Sequence, residues 1–99
     1  GFPLEQDELL RLASGLCDAE AWPDAAEVME EYLRKCPFGS EETRIELARV
    51  RAARLDDPAG ALAALEPLDP EMLSPDQQAL VARIAAKCRA NLARRPSSG

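Results

Sequence analysis

The sequence predicts an all-α domain of about five helices that are arranged as consecutive antiparallel hairpins. Apolar residues recur at three- and four-residue steps in five separate segments, which is the spacing of one helix face. Residue types that favour strands are scarce, because valine and isoleucine together number five and aromatic residues make up 4% of the 99 residues. Short connections with proline, glycine or capping residues separate the segments, so neighbouring helices are expected to run antiparallel.

The first two helices form the first predicted hairpin. Helix 1 is expected from about Leu4 to Ala19, and its apolar face consists of Leu9, Leu12, Ala13, Leu16 and Cys17. Helix 2 is expected to begin at Pro23, a residue suited to the first helical position, and to stop at Pro37 and Gly39. Its apolar face consists of Ala25, Met29, Tyr32, Leu33 and Cys36.

Helices 3 and 4 form a second, less regular pair. Helix 3 is expected from a Ser40 N-cap to about Leu55, because serine commonly caps helix N-termini. Its apolar positions are Ile45, Leu47, Ala48, Ala52 and Leu55. Helix 4 is expected at about Pro58–Leu65 after an Asp57 N-cap, and it consists mostly of small residues that allow close helix packing. Within it, Gly60 costs about 1 kcal/mol relative to alanine.

Helix 5 has the clearest start signal, the sequence SPDQ at 74–77. A serine followed three residues later by glutamine is typical of a capping box, and Pro75 suits the first helical position. The helix is expected to reach about Ala93, and residues 96–99 are expected to form a disordered tail. Its buried face is expected to consist of Leu80, Val81, Ile84, Ala85, Cys88 and Leu92.

Charge is distributed unevenly along the chain. The net charge is −6 overall, and it is −6 over residues 1–39, −4 over 40–73 and +4 over 74–99. The acidic total argues against nucleic-acid binding, which needs a basic face. Attraction between an acidic N-terminal hairpin and a basic C-terminal helix of different copies is one hypothesis that the distribution allows. The alternative is that these charges belong to ordinary solvated helix faces.

Cysteine content and hydropathy predict a cytoplasmic protein. Three cysteines without a CxxC pair fit a reducing compartment, and Cys17, Cys36 and Cys88 all fall on apolar faces, where buried, inert thiols are expected. No apolar run approaches the roughly 20 residues of a membrane span. The N-terminal sequence GFPLEQDELL lacks the basic and apolar regions of a secretory signal.

One segment matches a repeat pattern over a 34-residue frame from Gln6 to Gly39. The residues at the positions that define the pattern are Leu9, Leu12, Ala13, Leu16, Trp22, Ala25, Met29, Tyr32 and Pro37. This pattern resembles the tetratricopeptide repeat, whose helix pairs stack into a right-handed αα superhelix. Two residues depart from the family pattern: Leu9 stands where tryptophan is usual, and Tyr32 is large where a small residue is usual.

Beyond Gly39 the resemblance is looser. Ala48 and Ala61 match small positions of a second repeat, although their spacing is off by one residue and Pro67 shortens helix 4. The resemblance implies one domain over residues 1–95, with a first repeat at 6–39, a degenerate second repeat at 40–70 and a capping helix at 74–95.

The resemblance also implies a function, because repeats of this family bind partners in the groove that their first helices line. Carried over to this sequence, the partner-binding positions are Asp7, Leu10, Ser14, Cys17, Asp18, Ile45 and Arg49. Variants of the fold that capture acidic C-terminal tails have lysine and asparagine where Leu10 and Ser14 stand here, so that activity is not implied. The alternative is that all of these are ordinary surface and packing residues.

The chain is not expected to be an enzyme. It has no histidine, which removes the commonest general base and metal ligand, and no glycine-rich phosphate loop or GxSxG motif. A thiol nucleophile would lack its imidazole partner. No cofactor or metal is expected. The acidic cluster Glu27, Glu30 and Glu31 could attract a cation, but it is more typical of a solvated helix face. Trp22 and Tyr32 are expected to pack in the core.

The expected function is therefore docking of a peptide or helix of another protein beside helices 1 and 3, in a domain of a longer protein of bacterial type. Neither nucleic acid nor a membrane is expected as a partner. Two other functions stay open: a homo-oligomeric scaffold held by the charged ends, and an accessory domain of a larger enzyme.

Overall fold

Five α-helices account for most of the residues that the structure describes. The computed structural model describes residues 6–36 and 40–94. The helices are α1 (Gln6–Asp18), α2 (Trp22–Lys35), α3 (Glu41–Ala53), α4 (Pro58–Leu65) and α5 (Pro75–Arg94), with a 3₁₀ turn at Pro70–Met72. No strand occurs in the two described ranges, so the all-α prediction and the number of helices are confirmed. None of the described helices combines the length and apolar character that a membrane crossing requires.

The predicted helix boundaries agree with these elements to within two residues wherever both are described. α2 begins at Trp22, one residue before Pro23, and α3 ends at Ala53, two residues before Leu55. The expected start of helix 1 at Leu4, the stop signals Pro37 and Gly39, and the tail at 96–99 lie outside the described residues.

Two of the three predicted caps form as expected. The Asp57 carboxylate Oδ1 accepts a hydrogen bond of 3.0 Å from the Gly60 amide at the start of α4. Before α5, the Ser74 amide donates to Gln77 Oε1 at 3.0 Å, and the Gln77 amide donates to Ser74 Oγ at 3.2 Å. These two bonds are the reciprocal pair of a capping box.

The third cap prediction is confirmed in its position, because the Arg44 amide donates to the Ser40 carbonyl at the start of α3, but not in its side-chain hydrogen bond. Ser40 precedes α3, but its side chain makes no capping hydrogen bond to that helix. Instead its hydroxyl donates to the Cys36 carbonyl oxygen at 2.8 Å. Carbonyls just after a helix lack partners within that helix, so Ser40 links the end of α2 to the beginning of α3.

The turn from α1 to α2 depends on a residue with left-handed backbone. Glu20 has φ of 60°. The Ala21 amide donates to the Leu16 carbonyl at 2.8 Å, and the Glu20 amide donates to the Cys17 carbonyl at 3.0 Å. This pair of bonds is a Schellman motif, in which glycine is the usual residue with positive φ. Glutamate at this position explains why the sequence showed no stop signal there.

α3 separates two hydrophobic cores. The first core consists of Ala13, Ala25, Ala26, Met29, Leu33, Leu47 and Val50. The second core consists of Ile45, Ala48, Ala61, Leu65, Leu73, Ile84 and Cys88. α3 contributes to both, because it packs on α2 on one side and on α4 and α5 on the other, while α1 packs on α2.

Two leucines expected on buried faces are exposed. Leu12 is 45% and Leu92 is 37% exposed. α1 packs mainly on α2, which covers Leu9 and Ala13 but not the flank that carries Leu12. α4 has eight residues and α5 has twenty, so α4 is too short to cover the last turns of α5.

The cysteines are unpaired, but only one is buried. Cys88 is 2% exposed in the second core, whereas Cys17 and Cys36 are half-buried. The expectation that all three thiols are buried is therefore corrected for the two in the first hairpin. Burial raises the pKa of the Cys88 thiol.

Arg51 joins three elements at one point. Its guanidinium forms ion pairs with Glu30 of α2 and, at 3.0 Å, with Asp57 Oδ2 before α4. Gly60 lies against this pair: a Cβ at residue 60 would stand 2.7 Å from the Asp57 Cγ and 3.1 Å from the Arg51 Cδ. The absence of a side chain at Gly60 therefore leaves room for the cap and for the ion pair.

Candidate functional site

A groove of about 520 Å³ lies between α1 and α3. α1 lines it with Leu10, Ser14, Cys17 and Asp18, four of the seven positions that the repeat resemblance implies. Because α1 and α3 both pack on α2, the space between them ends on α2, whose Met29 forms part of the lining.

The inner surface of the groove is apolar. Ala13 and Met29 belong to the first core and are almost fully buried, and Leu10 is 37% exposed on the α1 wall. An exposed leucine beside a buried apolar surface is a place where a partner's apolar side chain can be removed from water. Such burial contributes about 25 cal/mol per Å² of apolar area.

The rim of the groove is acidic. Asp18 of α1 faces Glu42 and Glu46 of α3, and no cationic side chain lines the groove among the described residues. The pKa of the Cys17 thiol is raised by burial and further by the negative charges of Glu46 and Asp18. The groove thus favours cationic groups and keeps its thiol protonated, which makes Cys17 a poor nucleophile.

The remaining predicted positions lie elsewhere. Ile45 is 4% exposed in the second core, because its side of α3 faces α4 and α5, so it is not available to a partner. Arg49 is one turn further along α3 and lines a separate cavity between α3 and α5, although it forms an ion pair of 3.3 Å with Glu46. Asp7 belongs to α1, but its side chain lies outside the described residues.

The contribution of α3 to the groove differs from the one predicted. Glu42, Thr43 and Glu46 line the groove, and none of them was among the predicted positions. The signal was present in the sequence, because residues four apart share a helix face and Glu42 and Glu46 have that spacing. The frame of the second repeat was uncertain by one residue, and a shift of one residue rotates each predicted position by about 100° around the helix axis.

The other candidate residues have structural partners. Glu30 pairs with Arg51, and Glu31 pairs with Arg34 at 2.5 Å. Trp22 and Tyr32 pack partly buried against the first core, as predicted, and the Arg54 guanidinium lies 4.9 Å from the centre of the Trp22 ring. Among the described residues, no three metal-ligating side chains come together in a group that could hold a metal ion.

The groove is therefore defined by an apolar inner surface, an exposed leucine on one wall and carboxylates on the rim. These features suit recognition of a segment that carries both an apolar and a cationic side chain. Comparison of the chain with family models, with curated proteins and with solved structures found no significant match.

Proposed function

We propose that the chain is a non-catalytic interaction module that docks a peptide or helix of another protein in the groove between α1 and α3. The observation that carries the proposal is the groove itself, where Leu10, Ser14, Cys17 and Asp18 line one wall. In this proposal the hairpins stack as in a tetratricopeptide-like superhelix, and α1, α3 and α5 share the binding face. Three unpaired thiols fit a reducing compartment such as the cytoplasm.

The chemistry of the groove specifies the partner segment. An apolar side chain of the partner packs on Leu10 and Met29, and one or more lysine or arginine side chains pair with the rim carboxylates of Asp18, Glu42 and Glu46. Rim charges of this kind mainly affect the association rate and its salt dependence, whereas the buried apolar contact supplies affinity.

Two leucines of α1 provide a matched test. Leu10 is 37% and Leu12 is 45% exposed, but only Leu10 lines the groove between α1 and α3. Quantitative capture of partners from a lysate of the source organism, with mass spectrometry, would compare wild type with Leu10→Asp and Leu12→Asp. We expect Leu10→Asp to lose at least one partner that Leu12→Asp retains, with circular dichroism showing that both variants are folded.

A partner set that is unchanged by Leu10→Asp would refute the groove as the docking site. The same holds if Leu12→Asp alone removes the partners. In a confirming experiment, the identified partner would also slow alkylation of Cys17, whose thiol lies in the groove.

Self-association is a second candidate function, favoured by the opposite charges at the two ends of the fold. The α1–α3 groove is acidic, and Arg83, Lys87 and Arg94 of α5 have no acidic partner among the described residues. Light scattering behind a sizing column tests this candidate. A dimer or larger species that dissociates in high salt would support it, whereas a monomer at all concentrations and salt levels would refute it.

A further inference from the structure

A second cavity, separate from the groove between α1 and α3, lies between α3 and α5. Its volume is about 270 Å³. Its apolar lining includes Ile84 and Cys88, which belong to the second core and are almost fully buried. The cavity therefore reaches from the surface down to the core, unlike a shallow depression between surface side chains.

Among the residues that the structure describes, four cationic side chains and no acidic side chain line this cavity. They are Arg49 of α3 and Arg83, Lys87 and Arg94 of α5. The chain as a whole carries a net charge of −6 and has 18 acidic against 12 basic residues. A cavity with only positive charge is therefore the opposite of what the overall composition predicts.

The cations of α5 form a single row. At 100° per residue, Arg83, Lys87 and Arg94 fall within about 40° of one another around the helix. None of the three forms an ion pair in the part of the chain that the structure describes, and only Arg49 has a carboxylate partner, Glu46. The three side chains are exposed, so salt screens much of the repulsion between them, and an anion gains mainly from direct pairing with the nearest of these cations.

From this combination we infer that the cavity between α3 and α5 is a binding site for a small organic anion with an apolar body, such as a medium-chain carboxylate. The apolar body packs on Ile84, Cys88 and Ala52, and the carboxylate pairs with the cations at the cavity edge. The volume lies just below the lower end of the range of about 300–1,000 Å³ for small-molecule sites, so the ligand is compact.

The inference concerns a different cavity from the proposed docking groove, so the two can be tested separately. Sodium octanoate is a suitable probe. Its control is the cationic surfactant octyltrimethylammonium, which has a similar alkyl chain and the opposite charge. Titration of the isotope-labelled chain, followed by amide chemical shifts, would locate and quantify binding. With octanoate we expect saturable chemical-shift changes for amides on the facing surfaces of α3 and α5. With octyltrimethylammonium we expect no saturable change at these amides.

Substitutions on α5 supply a matched control. Lys87→Glu changes the cavity charge by two units, and we expect it to weaken octanoate binding about tenfold, corresponding to about 1.4 kcal/mol. Arg89→Glu makes the same change of net charge on the same helix, but Arg89 is exposed and does not line the cavity. We expect Arg89→Glu to change the affinity less than twofold.

Several outcomes would overturn the inference. These are the absence of saturable binding, equal binding of the cationic surfactant, and equal effects of the two substitutions. It would also be overturned if octanoate did not bind while Lys87→Glu abolished self-association, because the cations would then belong to an interface between copies.

Discussion

Replacement of Gly60 by alanine should destabilise this protein, although the same change in a helix is ordinarily stabilising. Glycine in a helix costs roughly 0.5–1 kcal/mol relative to alanine. At this position, however, the new Cβ would stand 2.7 Å from the Asp57 Cγ, so the Asp57 side chain must move. Moving it breaks the cap to the Gly60 amide and the pair with Arg51.

The size of the effect follows from these contacts. Loss of an N-cap costs about 1 kcal/mol, and a partly exposed ion pair contributes up to about 1 kcal/mol. Against the intrinsic gain of roughly 0.5–1 kcal/mol from alanine, a net loss of up to about 1 kcal/mol remains. For a domain of this size such a loss lowers Tm by about 4–8 °C, which thermal unfolding followed by circular dichroism would measure.

Two controls separate this explanation from a general effect of glycine. A Cβ added at Gly15 in α1 would meet no atom within 4 Å, so Gly15→Ala should raise Tm. In an Asp57→Ala background the contacts with Asp57 are absent and only the flexible Arg51 side chain, with its Cδ at 3.1 Å, has to shift slightly, so Gly60→Ala should then be stabilising as well. The reasoning would be refuted if Gly60→Ala stabilised the wild-type chain as much as Gly15→Ala does.

Three further predictions concern single residues. Glu20→Gly should stabilise the protein by about 0.5–1 kcal/mol in chemical denaturation, because glycine adopts positive φ without steric cost; a loss of stability would contradict the Schellman geometry. Iodoacetamide at mildly alkaline pH should modify Cys88 far more slowly than Cys17 or Cys36, as read by mass spectrometry, because the Cys88 side chain is 2% exposed whereas the other two are half-buried; a Cys88 rate in the native protein equal to its rate in urea would contradict this. The hydrogen bond from Arg34, together with its charge, lowers the pKa of Glu31 from 4.5, so the stabilisation by this pair is present above pH 4.5 and is lost as pH falls through the lower, folded-state pKa. Glu31→Gln should therefore lower Tm at pH 7 and leave it unchanged in strong acid, and an equal change at both would refute the assignment.

The helices and their boundaries were largely predictable because the boundaries have local causes. Asp57, Ser74 and Pro75 act within a few residues of their position, so their roles can be read from the sequence. The role of the Ser40 side chain could not be read in this way, because its hydroxyl can bond either to the helix that follows or to the Cys36 carbonyl at the end of the helix before, and it does the latter. That choice depends on how α2 and α3 meet in space.

Burial was harder to predict where it depends on distant elements. An apolar spacing shows that Leu12 and Leu92 lie on apolar helix faces, but it does not show how far the neighbouring helix extends. For Ile45 the error was in the opposite direction. Its position in the repeat frame predicted exposure in the groove, whereas packing of α4 and α5 against α3 buries it.

The candidate groove was predictable on the α1 side only. The first repeat frame is free of gaps, and four of its positions line the groove. On α3 the groove positions are set by the angle at which the second hairpin packs on α2. No local sequence pattern specifies that angle, so Glu42, Thr43 and Glu46 were missed.

The contribution of α3 to both cores makes the two halves of the molecule thermodynamically dependent on each other. Opening the first hairpin exposes Leu47 and Val50 to water, and opening the second exposes Ile45 and Ala48. Either event therefore removes the packing from one side of α3. Such coupling favours cooperative, two-state unfolding over separate melting of hairpins. It also predicts that amide hydrogens of α3 exchange only through global unfolding, whereas those of α1 exchange through local opening.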